Sequence, residues 1–112
     1  MAKNYIQPGD NMTVSAPYAV SSGDGALVGS LFGVAVSDAD NGAPVVLSTT
    51  GVWRLAKTKA QAWAVGALVY WDNSTKVATT TGTDNKLIGV AAADAANPSD
   101  AGLVRLNGAF TA

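Results

Sequence analysis

The sequence predicts an all-β fold, a small single-domain barrel or sandwich built from two related halves. Three observations lead to this prediction. Short segments rich in Val, Leu and Thr alternate with turn signals made of Gly, Asp, Asn, Ser and Pro, as the strands of such folds do. All 8 acidic residues are Asp, which favours turns over helices. Finally, several sequence blocks recur in the same order in the two parts of the 112-residue chain.

The predicted strands are short, and each is bounded by turn-forming residues. They cover residues 12–16, 31–37, 44–49, 52–56, 67–71, 76–80, 87–93 and 103–107. Residues 57–64 are the one stretch with helix-compatible composition. We expect at most a short helical turn there, linking the two halves.

The repeat is clearest in LFGVAVSDA at 31–39 and LIGVAAADA at 87–95. GALV precedes each copy, at 25–28 and 66–69, and a block of Val, Leu, Gly and an aromatic residue follows each. One such unit is too small to bury both faces of its strands, so two packed together are expected.

These matches predict how the chain is organised. Residues 1–8 form an N-terminal arm, and residues 9–112 form a single β domain. Its related halves cover about 21–56 and 64–110, and the second half carries an inserted hairpin at about 70–86.

Two pairs of repeated residues are predicted to be structural. Gly33 and Gly89 interrupt apolar strands, which is typical of a bulge, a bend or a close backbone approach. We interpret them as matching corners of the two halves. Asp38 and Asp94 end the same strands and are expected to close a turn by accepting backbone N–H groups.

The composition predicts no catalytic, cofactor-binding or metal-binding residues. Cys and His are absent, which removes thiolate ligands and the commonest general base and metal ligand. The glycine-rich stretch 23–29 lacks the strand–turn–helix context of a dinucleotide site, and Asp38–Gly42 lacks the spacing of a calcium loop. A net charge of −1 with scattered basic residues argues against a nucleic-acid partner. No apolar run approaches the ~20 residues of a membrane helix, and no secretory signal is visible.

The aromatic residues allow two interpretations. Trp and Tyr side chains form a stacking platform for sugars or single strands, or they fill the core and a subunit interface; the second interpretation is favoured. Tyr70 and Trp71 are adjacent on a strand and must face opposite sides, so one is available to a neighbouring molecule. The candidate capsid or subunit contacts are Tyr5, Ile6, Trp63, Tyr70 and Trp71.

Several motifs together resemble a known protein family. They are YIQPGD at 5–10, APYAVSSGDG at 16–25, VGSLFGVA at 28–35, WAVGALVYWD at 63–72 and LIGVA at 87–91. The combination resembles the small capsid decoration, or cement, proteins of tailed bacteriophages and prophages, some of which carry the label of phage recombinase. The residues contradict a recombinase, because they offer neither a phosphate-binding loop nor a basic DNA-binding face.

The resemblance implies a non-enzymatic protein that binds the outside of a phage head as a homotrimer. Its partner would be the major capsid protein, and it would reinforce the joints between shell subunits. It would be made in the cytoplasm of the host bacterium and reside on the capsid exterior of the virion. A carbohydrate-binding β-module displayed on a virion is the alternative, and it predicts an exposed row of aromatic side chains.

Overall fold

A computed structural model describes residues 3–4 and 6–111, and the regular structure in this part of the chain consists of nine strands. The strands are β1 (Asn11–Ser15), β2 (Gly25–Val28), β3 (Leu31–Ala35), β4 (Pro44–Ser48), β5 (Thr50–Ala56), β6 (Leu68–Asp72), β7 (Val77–Thr79), β8 (Lys86–Ala91) and β9 (Ala101–Asn107). The all-β prediction is therefore confirmed. Residues 57–64 contain turns and isolated bridges, within the limit of a short helical turn that the sequence predicts.

The strands form two antiparallel sheets. The first sheet has the order β1-β4-β3-β2, and the second has the order β5-β9-β8-β6-β7. Of the two predicted architectures, the sandwich is observed and a closed barrel is not. The edges of the second sheet approach each other at one parallel bridge between Lys57 and Ala78, and this single bridge does not close a barrel.

The two sheets repeat one topology, so the two halves are related. Strands β1, β4, β3 and β2 correspond in order to β5, β9, β8 and β6, and β7 is an addition to the second sheet. The backbone hydrogen bonds repeat as well: the N–H of Gly23 donates to Ala35 and the N–H of Gly66 donates to Ala91, both at 2.8 Å. The bridge between Val20 and Ala39 recurs between Trp63 and Ala95.

The sheets divide the chain between Ser48 and Thr50. The halves inferred from sequence, 21–56 and 64–110, divide it later and remain a prediction about the duplication. The backbone hydrogen bonds show that Gly23 in the first half is equivalent to Gly66 in the second. The GALV match, in contrast, aligns Gly25 with Gly66. Both Gly23 and Gly66 have positive φ, at 92° and 87°. A comparison of residue types alone does not reveal this shared backbone conformation, which favours glycine.

Alternation along the strands decides which side chains enter the core. In β9, Val104 and Leu106 are buried while Arg105 between them is exposed. In β5, Leu55 is buried and its neighbour Arg54 is exposed. The period of two follows from the pleat, which points successive side chains to opposite faces.

Two separate apolar cores result. The larger core lies between the sheets and joins Phe32 and Val34 of β3 to the inner face of the second sheet, including Trp71. The smaller core lies on the other face of the first sheet and is made of Ala and Val side chains with Leu47. Strand β3 is thus buried on both faces, and it is the layer that both cores share.

Candidate interaction surfaces

Three of the predicted contact residues lie in or near the larger core. Trp63 and Trp71 are each 3% exposed. The Trp71 ring centroid lies 5.0 Å from that of Phe32, so this tryptophan joins the two sheets. Tyr70 points the other way and is half-buried, with its ring beside Gly82 of the inserted hairpin. Of Trp63, Tyr70 and Trp71, Tyr70 is therefore the residue with surface accessible to another molecule.

The N-terminal arm presents an apolar side chain to solvent. Ile6 is 86% exposed, and residues 6–11 are all exposed. Tyr5, the other predicted contact in the arm, lies outside the described residues. At the opposite end of the chain Phe110 is 79% exposed, although the N–H of Thr111 next to it donates to Ser30 at 2.8 Å. Both ends of the described chain therefore carry a large unpartnered apolar side chain.

Gly33 and Gly89 lie where a neighbouring strand approaches closely. A Cβ on Gly33 would lie 2.7 Å from Cβ of Leu47 and 3.0 Å from the carbonyl oxygen of Ser48. A Cβ on Gly89 would overlap the carbonyl oxygen of Arg105 and lie 2.9 Å from its carbonyl carbon. Neither glycine has positive φ. This geometry supports close approach at both glycines, and at Gly89 the register between β6 and β8 also shifts, as it does at a bulge.

Asp38 and Asp94 occupy equivalent positions and make equivalent bonds. Oδ1 of Asp38 accepts the N–H of Ser22 at 2.8 Å, and Oδ1 of Asp94 accepts the N–H of Val65 at 2.9 Å. The donors lie in the turns before β2 and β6, across the sheet from each aspartate. Each carboxylate thus ties the loop after one strand to the turn before its neighbour, instead of closing its own turn.

A cavity of about 280 Å³ opens between the first-sheet loop at 18–25 and the second sheet, with Trp71 and Lys76 in its lining. The hydroxyl of Tyr18 donates to the carbonyl of Gly25 at 3.0 Å, and Nζ of Lys76 lies 4.4 Å from the Tyr18 ring centroid. Burial raises the pKa of Tyr18. The phenol therefore stays protonated at neutral pH and acts as a hydrogen-bond donor that holds the loop.

Lys57 is a buried lysine that sequence reasoning missed. It is 3% exposed, and Nζ donates to the carbonyls of Thr58 at 2.7 Å and of Lys59 and Ser99 at 3.4 Å. Nζ also lies 5.8 Å from the Trp63 ring centroid. These acceptors satisfy the donors of the ammonium, as a buried charge requires. The signal in the sequence was weak, because lysine at a strand end normally lies in solvent.

The outer face of the second sheet carries the two arginines of the chain. We name it the arginine face, and it consists of Val52, Arg54, Leu68, Val90, Leu103 and Arg105. Directly opposed pairs place four of its residues in one row across β5, β9, β8 and β6, namely Val52, Arg105, Val90 and Leu68. Val52 and Leu68 are 56% and 53% exposed. The sequence predicted most of the strands, but the register that brings these residues onto one face is seen only in the structure.

Within residues 3–4 and 6–111, no group of three potential metal-binding residues is found. Apart from short turns, this portion of the chain is extended, and it includes no helix with the length and apolar character needed to cross a membrane.

The comparison with protein families decides the assignment. A family model described as phage cement protein matches residues 6–106, which is most of the chain. The chain belongs to the phage cement protein family. This confirms the resemblance seen in the sequence, and it identifies a structural protein of the phage capsid. Searches of curated proteins and of solved structures gave no significant match.

Proposed function

We propose that this phage cement protein binds the outer surface of a tailed-phage head as a homotrimer and reinforces the joints between shell subunits. Its partner is the major capsid protein. The protein performs no chemistry; it adds binding free energy across the joints. It is made in the cytoplasm of the host bacterium and ends on the exterior of the virion.

The observation that carries the proposal is the family match over residues 6–106. The fold is compatible with the role. Two cores share strand β3, which favours a rigid body that can hold shell subunits in place. On a symmetric lattice many weak contacts add up through avidity, so a small domain of low net charge suffices.

Cosedimentation with mature and immature capsids tests the proposal. We expect the protein to pellet with capsids, to saturate at three copies or a multiple of three per local threefold position, and to raise the temperature at which the capsids open. A protein that pellets with neither form of the capsid would overturn the proposal. Saturation at a number incompatible with trimers would overturn the trimer alone.

The N-terminal arm is proposed to contact the shell or a neighbouring subunit, because it exposes Ile6. Deletion of residues 1–8 is expected to lower capsid occupancy while leaving the domain folded. The single variant Ile6→Ser is the matched test of the apolar contact. Undiminished occupancy of the truncated protein would show that the arm has no such role.

No specific observation favours the carbohydrate-binding alternative. It predicts an exposed row of aromatic side chains, and Trp63 and Trp71 are buried.

A further inference from the structure

The arginine face lacks a partner for its charges within the part of the chain that the structure describes. Neither Arg54 nor Arg105 forms an ion pair there, where the observed pair joins Lys59 to Asp100. Arg54 and Asp94 line one depression without forming an ion pair. Arg54 opposes Leu103, so it lies diagonally from Arg105 on the same face. Two like charges at diagonal positions repel each other, and a carboxylate from another molecule would relieve the repulsion.

The equivalent face of the first sheet is already covered. Val34 corresponds to Val90 and Gly25 corresponds to Leu68, and both first-sheet residues are buried. A Cβ on Gly25 would lie 2.8 Å from the Trp71 ring, so the second sheet packs directly on this face. The inner face of the second sheet thus covers the outer face of the first sheet within one chain.

The described residues leave the outer face of the second half uncovered, with Val52 and Leu68 exposed. In stacked repeats each unit is covered by its neighbour, and the last unit leaves one face open. The open face keeps apolar residues, since Val52 and Leu68 are more than half exposed. A second copy of this chain supplies the missing unit, because it brings the same kind of sheet.

The first half of the chain carries charges that complement the arginines. Asp38 and Asp40 line one shallow depression with residues 19–21, beside the loops that cover the smaller core. Asp24 lies at the edge of the same loop and accepts the N–H of Ser21 at 2.9 Å. All three aspartates are exposed, and none forms an ion pair among the described residues. We name Asp24, Asp38 and Asp40 the acidic loops.

We propose that the arginine face of one copy binds the acidic loops of the next copy. Such a contact joins two different surfaces, so it closes into a ring or extends into a filament. The number of three copies in the ring rests on the proposed function. The contact adds which two surfaces meet in that trimer. Leu68 and Val90 then lie inside the contact, while Arg54 and Arg105 pair with carboxylates.

Charge reversal on each side, followed by their combination, tests the contact. The arginine-side variant is R54E/R105E. The acid-side variant is D38N/D40R, which removes the charge of Asp38 but keeps an oxygen that can accept the N–H of Ser22. The third protein combines all four changes. We expect sedimentation velocity to show that each double variant dissociates at a concentration about 100-fold higher than the native protein, since like charges at an interface cost several kcal/mol. We expect the fourfold variant to recover most of the association.

The control variant K59E/K86E has the same change in net charge as R54E/R105E but lies outside the arginine face. We expect it to associate as the native protein does. The milder variant R54Q/R105Q guards against misfolding of the charge-reversed proteins, and we expect it to weaken association about 10-fold and to flatten its salt dependence.

Three results would overturn the contact. They are a native protein that is monomeric at the concentration used for capsid binding, double variants that associate normally, and a fourfold variant that stays dissociated. Capsid cosedimentation of the native protein separates this inference from the proposed function. If the native protein forms an oligomer that depends on the arginines but does not pellet with capsids, the contact between copies stands and the proposed capsid function is refuted.

Discussion

The two sheets of this protein have the same strand order and different contents. In the first sheet, Ala16 and Val20 cover a small core, whereas in the second sheet their equivalents are Lys57 and Trp63. The backbone hydrogen bonds tolerate this difference, because a ladder depends on main-chain groups and not on side-chain size. The pairing pattern therefore sets the topology, while side-chain volume distinguishes the small core on one face of the first sheet from the larger core between the sheets.

The largest difference is expected at the two equivalent glycines. Gly89→Val should cost about 5 kcal/mol or more and abolish folding, because its Cβ would overlap the backbone of Arg105, which cannot move aside alone. Gly33→Val should cost less, about 1–3 kcal/mol, because its nearest neighbours, Cβ of Leu47 at 2.7 Å and the carbonyl oxygen of Ser48 at 3.0 Å, are not as close as the backbone is at Gly89. Urea unfolding measures the loss at Gly33, and circular dichroism shows whether Gly89→Val folds. A folded, stable Gly89→Val that has lost only capsid binding would show that this glycine belongs to a binding surface.

Trp63 and its equivalent Val20 differ in volume and lie in different cores. Trp63→Ala should lower the free energy of unfolding by about 3–5 kcal/mol, because a large ring leaves a cavity between the sheets. Val20→Ala should cost about 2 kcal/mol, since it removes less apolar volume from the smaller core. Chemical denaturation followed by circular dichroism gives both values. Equal losses would mean that the two cores contribute alike despite their different contents.

Lys57 tests whether a buried ammonium stabilises the second sheet. Lys57→Met keeps the length of the side chain but leaves the carbonyls of Thr58, Lys59 and Ser99 without their donor. We expect a loss of about 1–3 kcal/mol. Lys59→Met is the control, because that side chain is 75% exposed in a surface ion pair, and it should change stability by at most about 0.5 kcal/mol. A more stable Lys57→Met would show that desolvation of the charge outweighs its hydrogen bonds.

The smallest effect is expected at the turn that opens the inserted hairpin, which the first half lacks. The N–H of Ser74 donates to Asp72 and lowers the pKa of that carboxyl below its usual 3.8. Because the folded pKa is depressed, the stabilisation is present above 3.8 and is lost as the pH falls through the folded pKa. Asp72→Asn should therefore be slightly less stable than the native protein at neutral pH. The two proteins should converge in acid, and a constant difference in unfolding midpoint would contradict the assignment.

The sequence by itself determined the fold class and the approximate places of most strands. The signals were the alternation of apolar and polar residues, the use of Asp for every acidic residue, and the repeated sequence blocks. These patterns are local or periodic, so they can be recognised without knowing which residues are in contact. The family was identified separately, from the resemblance of motifs between residues 5 and 91, and the family model matches residues 6–106. Strand β2 was seen as a repeated block and not as a strand, because four residues between glycines carry little periodic signal.

The tertiary structure alone decided which sides of the strands are covered and by what. Trp63 and Trp71, chosen from sequence as possible contacts, lie in the core, whereas Arg54 and Arg105 share an open face. Equivalent positions differ in burial because the first outer face is packed against the second sheet, whereas the residues that the structure describes leave the second outer face open. Sequence specifies which residues alternate along a strand; burial depends on what lies opposite, and that is a property of the assembled layers.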